Sequence, residues 1–171
     1  RQRQMCIRDR YAGMIMSTRE SEAMRERGLA LGISQISGGS RTSVGGYVEE
    51  EPEEENSAQF DTSDRRSLDE IVEWLLQLGY VPSFCTACYR EGRTGDRFMA
   101  LAKSGQISNC CQPNALMTLK EYLLDYADEE TKAVGAAVID VQLDSIKNDL
   151  VKEKSKAYIE QMEEGERDFR F

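Results

Sequence analysis

Short apolar runs alternate with amphipathic segments over the first half of the chain. The run Tyr11–Met16 is followed by Ser17–Glu20, which opens a segment of mixed charged and apolar residues that ends near Gly32. A second short apolar run covers Ile33–Ile36. An apolar run, a polar turn and a helical period in succession are typical of a strand that leads into a helix. The pattern therefore predicts strand, helix and strand.

The clearest helical pattern begins at Ser67. Ser67 and Glu70 have the spacing of a capping box, and Gly79 follows as a stop signal. Apolar residues fall at helical spacing between these signals, at Leu68, Ile71, Val72, Leu75 and Leu76. The apolar run Tyr80–Phe84 comes next, and we predict that it forms a third strand ending on Cys85.

This alternation of strands and helices predicts an α/β fold. Strands joined through helices pair in parallel, as they do in doubly wound sheets and α/β barrels. In both architectures, chemistry gathers in the loops that leave the C-terminal ends of the strands. Such positions are occupied by Arg19, the loop Ser40–Thr42 and Cys85. We therefore expect three loops to converge at one end of the sheet or barrel.

The pattern becomes helical after Cys111. Thr118 and Glu121 form a second candidate capping box, with apolar residues on one helix face beyond it. Helical spacing continues over Asp128–Leu150. The mostly charged segment Val151–Phe171 is predicted to be a solvated helix with frayed ends. The second half of the chain is therefore predicted to be a helical extension.

Net charge narrows the range of partners. The 171 residues include 22 Lys and Arg against 31 Asp and Glu, a formal net charge of -9, and six of the glutamates lie in Glu49–Glu55, a predicted surface loop. Such a chain is repelled by phosphate backbones and by anionic membranes. No apolar run approaches the roughly 20 residues that cross a bilayer, and Arg1–Arg10 lacks the apolar core of a secretory signal. We expect a cytoplasmic protein that binds neither nucleic acid nor membranes.

The cysteines are concentrated in one stretch, which contains four of the five in the chain: Cys85, Cys88, Cys110 and Cys111. In a reducing compartment, clustered cysteines are free thiols or metal ligands rather than disulfides. A Cys-x-x-Cys turn directs two sulfur ligands at one centre, and a later cysteine supplies the third. An iron–sulfur cluster held by three cysteines leaves one iron open to another molecule, which makes this stretch a candidate reactive centre.

A structural zinc ion held by all four of these thiols is the alternative. Adjacent cysteines rarely direct both sulfurs at one metal, and the chain has no histidine to serve as a zinc ligand. Arg90 and Arg93 lie close to the Cys-x-x-Cys turn in sequence. They could offset the negative charge of thiolates, or they could belong to a solvated loop.

Polar residues at the first two predicted strand ends are candidate substrate ligands. The arginine after the first strand could bind a carboxylate through two parallel hydrogen bonds, and the alternative there is a helix cap with a surface arginine. The residues after the second strand follow two glycines, whose amides could approach a ligand, although the spacing matches no phosphate loop. These candidates are Ser17, Thr18, Arg19, Ser40, Arg41 and Thr42.

Several motifs together resemble one enzyme family. They are Met16–Glu20, Ile36–Thr42, Gly45–Tyr47 and Ser83–Arg90, followed after a spacer of twenty-two residues between Cys88 and Cys111 by Cys111–Asn114. This combination resembles the C-terminal region of the radical S-adenosylmethionine (SAM) tyrosine lyases that mature FeFe-hydrogenase. The resemblance runs from about Tyr11 to the C-terminus. A related tyrosine lyase of thiamine synthesis has a similar strand pattern but lacks the cysteine triplet.

The resemblance implies a fold in two parts. Residues 11–84 would be the last strands and helices of a radical SAM TIM-type (β/α) barrel, the piece called the biotin and thiamine synthesis associated domain. Residues 85–171 would be a helical C-terminal domain that binds an auxiliary iron–sulfur cluster. Residues 1–10, which include Cys6, resemble nothing in the family and are expected to be an unmatched leader or an artefact.

The resemblance also implies a function. In such enzymes a radical made from SAM at one 4Fe–4S cluster cleaves L-tyrosine to p-cresol and dehydroglycine. The auxiliary 4Fe–4S cluster, with an additional iron, converts dehydroglycine to carbon monoxide and cyanide for H-cluster assembly, alongside other hydrogenase maturation proteins. By this resemblance the cluster ligands would be Cys85, Cys88 and Cys111, with Cys110 a bystander, and the SAM or tyrosine contacts would be Ser17, Arg19, Ser40, Arg41 and Thr42.

The chain departs from the family in two ways. It lacks the Cys-x-x-x-Cys-x-x-Cys motif that holds the radical-generating cluster, and it contains no histidine. We therefore expect a fragment of the enzyme that cannot start the radical reaction alone. The competing hypothesis is a non-catalytic metal-binding module, either a structural zinc domain or an electron-transfer iron–sulfur domain.

Overall fold

The computed structural model describes residues 14–42 and 61–171, which divide into two compact units between Ile71 and Val72. In the first unit the elements are β1 Ile15–Met16, α1 Glu22–Ala30 and β2 Gln35–Ile36. Helix α2, Leu68–Gln77, includes the point of division. The helices of the second unit are α3 Ala87–Arg90, α4 Gly95–Ser104, α5 Ser108–Asp125, α6 Glu129–Ser145 and α7 Asp149–Glu163.

Strands β1 and β2 pair in parallel, as the alternation of strands and helices predicted. Ile15 lies opposite Gln35 and Met16 opposite Ile36, and the Ser37 amide donates to the Met16 carbonyl at 2.9 Å. Helix α1 connects the two strands, which is the expected crossover. The predicted first strand was longer, but residues 11–13 lie outside the described residues.

The capping box at the start of α2 is confirmed. The Ser67 amide donates to Glu70 Oε2 at 2.7 Å, and the Glu70 amide donates to Ser67 Oγ at 3.3 Å. At the other end Gly79 has a φ of 81°, in the left-handed region that glycine adopts without strain. The Tyr80 amide then returns to the Leu75 carbonyl at 2.9 Å, which ends the helix where the sequence predicted.

The prediction of a third strand over Tyr80–Phe84 was wrong. This segment has no regular secondary structure. Its Phe84 amide donates to Thr118 Oγ1 at 3.2 Å, and the Phe84 ring stacks on Tyr122 with the ring centroids 5.1 Å apart. The end of the segment that suggested a strand therefore packs on helix α5 instead of pairing with a neighbouring strand.

The predicted helix start at Thr118 was also wrong, because α5 begins at Ser108 and Thr118 lies in its interior. The Thr118 hydroxyl lies 3.1 Å from the Asn114 carbonyl and 3.2 Å from the Ala115 carbonyl of the preceding turn. A threonine hydroxyl can bond within a helix as readily as it caps one, so the local spacing did not distinguish the two cases.

Helices α5, α6 and α7 enclose the core of the second unit. The buried side chains they contribute include Leu116, Met117, Leu119, Leu123, Ile139, Leu143 and Met162. The sequence predicted one continuous helical stretch over Asp128–Leu150, but α6 ends at Ser145 and α7 begins after Asn148. Within the described residues, no helix is both long and apolar enough to cross a membrane.

The last described residues correct a further prediction. Helix α7 ends at Glu163, and residues beyond it fold back on the helices instead of fraying. Phe169 and Phe171 pack against the core, and the Phe169 ring stacks on Tyr158 of α7 with the centroids 4.3 Å apart. Two aromatic rings at the end of a charged segment were the local signal that it is anchored.

Candidate metal centre

Hydrogen bonds donated by backbone N–H groups hold the Cys-x-x-Cys turn in place. The Ala87 amide donates to Cys85 Sγ at 3.4 Å, and the Cys85 amide donates to Ser83 Oγ at 3.4 Å. The Cys88 carbonyl accepts the Arg93 amide at 2.8 Å. Ala87 is buried, which anchors the middle of the turn. The turn therefore fixes the backbone that carries both thiols.

The second pair of cysteines lies in the first turn of α5. The Cys110 and Cys111 amides both donate to the Ile107 carbonyl, at 3.1 and 2.7 Å. Consecutive helical residues project about 100° apart around the axis, so the two side chains leave the helix in different directions.

The four thiols are neighbours in space. The pKa of the Cys111 thiol is raised, first by its partial burial and then by the charges of Cys88, Cys85 and Cys110, while Arg93 acts in the opposite direction. Such coupling requires the sulfurs to lie close together. Cys111 is more exposed than the other three cysteines. The fold thus gathers all four thiols that the sequence grouped.

The side chains of this stretch that could bind a metal are thiols. Among residues 14–42 and 61–171, no three cysteine or carboxylate side chains converge on a point as one metal ion would require. A zinc ion needs thiolate sulfurs about 2.3 Å from a common centre. In a 4Fe–4S cluster each cysteine binds a different iron, so the sulfurs must be neighbours without converging. An all-thiol donor set without histidine fits that chemistry.

The two nearby arginines have different partners. Arg93 Nη1 donates to Cys110 Sγ at 3.6 Å and Nη2 donates to the Phe171 carbonyl at 3.0 Å, while its buried Nε has no hydrogen-bond partner among the described residues. Arg90 instead pairs with Asp168 through both carboxylate oxygens, at 2.5 and 3.0 Å. The expected positive charge at the thiols is therefore supplied by Arg93.

Asn114 lies three residues after Cys111 in α5, and sequence reasoning gave it no role of its own. Its side chain is 3% exposed, and Oδ1 accepts the Phe171 amide at 2.9 Å while Nδ2 lies 3.4 Å from the Phe171 carbonyl. An asparagine in an otherwise buried stretch of α5 was the signal available. Its partner lies 57 residues away in sequence, so local pattern could not supply it.

The candidate substrate ligands of the first unit lie beyond the ends of the two parallel strands. The Arg19 amide donates to Ser17 Oγ at 3.2 Å, which makes a local turn after β1. Arg19 and Arg41 are exposed, whereas Ser40 and Thr42 are partly buried. Because parallel strands end on the same edge of a sheet, the loops after β1 and β2 leave from one edge.

Sequence reasoning missed the buried ion pair beneath these loops. The Arg25 guanidinium donates to the Asp64 carboxylate and to the Ser37 carbonyl, and the Asp64 amide donates to the Thr18 carbonyl at 2.9 Å. Arg66 adds two bonds to the Asp64 carboxylate, at 2.9 and 2.7 Å. These bonds with Arg66, helped by the charge of Arg25, hold the pKa of Asp64 down to about 2 even though burial opposes them.

Comparisons with known proteins found one matching domain family and a similar solved structure. The sequence pattern of the biotin and thiamin synthesis associated domain matches residues 7–81. The crystal structure of HydG, a maturase of the FeFe-hydrogenase, is similar to 98% of this chain at 51% sequence identity, with a TM-score of 0.87. The chain covers 36% of that protein, which is about a third of its length. No curated protein sequence matches the chain significantly.

Proposed function

Since the chain belongs to the HydG family of FeFe-hydrogenase maturases, we propose that it is the part of such an enzyme that carries an auxiliary 4Fe–4S cluster. Residues 11–84 then belong to the end of a radical SAM (β/α) barrel, and residues 85–171 form the helical cluster domain. The complete reaction is a proposal for the full-length enzyme, because this chain covers only 36% of the related maturase.

The observation that carries the proposal is the grouping of four thiols in a chain without histidine. The Cys85–Cys88 turn and the first turn of α5 are separate segments, yet their sulfurs lie near enough to influence each other's charge. When bound, a 4Fe–4S cluster with three cysteine ligands and an additional iron supplies open coordination positions at which a small product can be held.

The residues divide into ligands and supports. Cys85, Cys88 and Cys111 hold the cluster, and the backbone N–H of Ala87 donates to the Cys85 sulfur. Cys110 is turned away from Cys111 by the helix geometry, and it is engaged by Arg93 instead. We therefore propose that Cys110 is not a ligand.

The loops after β1 and β2 bind SAM or tyrosine in this proposal, through Ser17, Arg19, Ser40, Arg41 and Thr42. An exposed arginine guanidinium can hold the carboxylate of an amino acid through two hydrogen bonds. The products of tyrosine cleavage are p-cresol and dehydroglycine, and the latter is converted to carbon monoxide and cyanide on iron. The proposed setting is the cytoplasm, with other hydrogenase maturation proteins as partners.

The ligand assignment is tested by anaerobic reconstitution of the full-length enzyme carrying Cys111→Ala or Cys110→Ala. We expect Cys111→Ala to lose the iron and acid-labile sulfide of one cluster, and Cys110→Ala to retain both. The two variants remove the same group from adjacent positions, so each serves as the control for the other. The opposite result would show that the ligands are wrongly assigned.

Metal analysis separates this function from a non-catalytic module. A structural zinc site would yield zinc without acid-labile sulfide after purification. An electron-transfer cluster would be reduced and reoxidised without any dependence on tyrosine or SAM. Iron and sulfide together, with a spectroscopic change on addition of tyrosine and SAM, is the result that our proposal expects.

The substrate loop is tested separately. In the full-length enzyme, Arg19→Ala should slow p-cresol formation, whereas Arg27→Ala, at the end of helix α1, should not. Arg27→Ala removes a charge of the same sign from the same unit, which makes it a matched control. Normal p-cresol formation by Arg19→Ala would exclude a role of this residue in the reaction.

A further inference from the structure

Residues Arg167–Phe171, here called the strap, are anchored on helix α7. The Phe169 ring stacks on Tyr158 at 4.3 Å, and the Phe171 ring meets Tyr158 edge-on at 5.5 Å. Lys154 Nζ lies 5.0 Å from the centre of the Phe171 ring, a favourable cation–π distance. These contacts fix the strap on one side and leave its backbone and charged groups to face the other helices.

One set of strap contacts reaches the segment that follows Cys88. Arg93 Nη2 donates to the Phe171 carbonyl, and Arg90 forms two hydrogen bonds with the Asp168 carboxylate. Arg93 also reaches the Cys110 sulfur through its other terminal nitrogen. A single guanidinium therefore connects the strap to a thiol of the proposed metal centre.

A second set of contacts reaches helix α5, which carries Cys111. Asn114, three residues after Cys111, exchanges hydrogen bonds with both the amide and the carbonyl of Phe171. Further along α5, Glu121 accepts the Asp168 amide at 2.6 Å, and Asp125 pairs with Arg167 at 2.7 and 3.0 Å. The strap is thus bonded along the same helix that presents the third proposed ligand.

The burial of each contact indicates how strongly it holds the strap in place. The ion pairs at Arg90 and Arg167 are open to solvent, and such pairs contribute little because water and salt screen them. Asn114 is 3% exposed, so its polar atoms have no water to replace Phe171 if that partner is removed. Arg93 has a buried Nε and is held on both sides. Asn114 and Arg93 are therefore the central connections.

We propose that the strap sets the separation between the Cys85–Cys88 turn and the first turn of α5, so that their thiols can bind one cluster. Asn114 and Arg93 are the positioning residues, and neither is a ligand. This inference rests on the proposed function, because it concerns the same metal centre. It adds that cluster retention depends on a segment more than fifty residues beyond the last proposed ligand in the chain.

The test is the rate at which a chelator removes iron from the auxiliary cluster of the reconstituted full-length enzyme. Residues that orient metal ligands typically change metal binding 10- to 100-fold when replaced. We expect Asn114→Ala and Arg93→Ala each to release that iron about 10-fold faster and to alter the electron paramagnetic resonance spectrum of the cluster. Arg93→Lys, which keeps a charged donor, should restore part of the difference.

Arg97→Ala is the matched control, because Arg97 is exposed and, within residues 14–42 and 61–171, bonds only to the nearby Gly92 carbonyl, at 3.4 Å. If Asn114→Ala fails to fold by circular dichroism, the double variant Phe169→Ala/Phe171→Ala removes the rings of the strap and leaves α5 unchanged. The same faster release is expected of it.

Unchanged release rates and spectra in folded Arg93→Ala and in the folded ring variant would overturn the role of the strap and leave the proposed function standing. An unmodified enzyme that binds no auxiliary cluster at all would overturn the proposed function itself, and the inference with it. The two failures are therefore distinguishable in the same set of preparations.

Discussion

Arg25 and Asp64 form an ion pair that is almost fully withdrawn from solvent, with Arg25 0% and Asp64 6% exposed. The same arginine donates to the Ser37 carbonyl after β2, and the Asp64 backbone amide donates to the Thr18 carbonyl after β1. The pair therefore connects the loops that follow both parallel strands. These are the loops that carry the proposed substrate ligands.

We predict that Asp64→Asn destabilises the first unit strongly. The substitution keeps the size of the side chain and the backbone bond to Thr18, but it removes the negative charge that faces the buried Arg25 guanidinium. Removing one member of a buried ion pair costs about 3–5 kcal/mol. Hydrogen exchange measured by mass spectrometry on peptides of β1 and β2 should show a fall of this size in the free energy of local opening.

Asp61→Asn provides the control for this prediction. Asp61 also pairs with an arginine, Arg65, but its side chain is 88% exposed. Exposed pairs of this spacing contribute about 0.3–0.5 kcal/mol, so exchange in the same peptides should scarcely change. Equal effects of the two substitutions would show that burial of the Arg25–Asp64 pair does not determine its contribution.

The same carboxylate predicts a dependence on pH. The pKa of Asp64 is about 2 in the folded protein against an ordinary value of 3.8, chiefly because Arg66 donates to it. A lowered pKa gives a stabilisation that is present above pH 4 and is lost as the pH falls through 4 toward 2, up to about 2 kcal/mol. The stability difference between the original chain and Asp64→Asn, followed from pH 5 downward, should shrink. A difference that stayed constant would contradict the lowered pKa.

Local chemistry accounts for the parts of the fold that the sequence predicted correctly. The capping box at Ser67, the stop at Gly79 and the parallel strands around α1 depend on residues close together in the chain. The prediction of a third strand at Tyr80–Phe84 failed because an apolar run does not show which element it packs against. Whether the run pairs with a strand or lies on a helix depends on the distant partners Thr118 and Tyr122.

The candidate metal centre also has one part that the sequence predicted and another part that it did not. The spacing of the cysteines was enough to group them, because a Cys-x-x-Cys turn restricts where two sulfurs can lie. Spacing could not identify Asn114 and Arg93 as supporting residues, because both bond to Phe171. Phe171 lies 57 residues after Asn114 and 78 residues after Arg93. The charged composition of residues 151–171 suggested a solvated helix. The effect of the Phe169 and Phe171 rings depends on a surface that other parts of the chain form.

Close packing of α6 on α5 gives a third prediction, at Gly135. A methyl group added there would lie 2.5 Å from Cδ1 and 2.7 Å from Cδ2 of Leu123, which is buried. Overpacking of this kind costs about 1–3 kcal/mol, while exchanging glycine for alanine in a helix returns about 1 kcal/mol. Gly135→Ala should therefore lower the free energy of unfolding by up to about 2 kcal/mol, measured by urea denaturation.

The double variant Gly135→Ala/Leu123→Ala separates the two effects. Leu123→Ala alone is destabilising, but it removes the methyl groups that the new alanine would meet. In that background Gly135→Ala should become stabilising by up to about 1 kcal/mol, the intrinsic helix gain. If Gly135→Ala were equally destabilising with and without Leu123, the close contact would not be the cause.

The break between α6 and α7 gives the last prediction, at Asn148. Its Oδ1 accepts the Leu150 amide at 3.1 Å and the Val151 amide at 3.3 Å, so it satisfies two amides that the first turn of α7 leaves without helical partners. Asn148→Ala should cost about 1 kcal/mol of unfolding free energy, whereas Asn148→Ser, which retains a capping oxygen, should cost a few tenths at most. Urea denaturation of both variants checks this, and equal stability of the alanine and serine variants would mean that the cap does not stabilise α7.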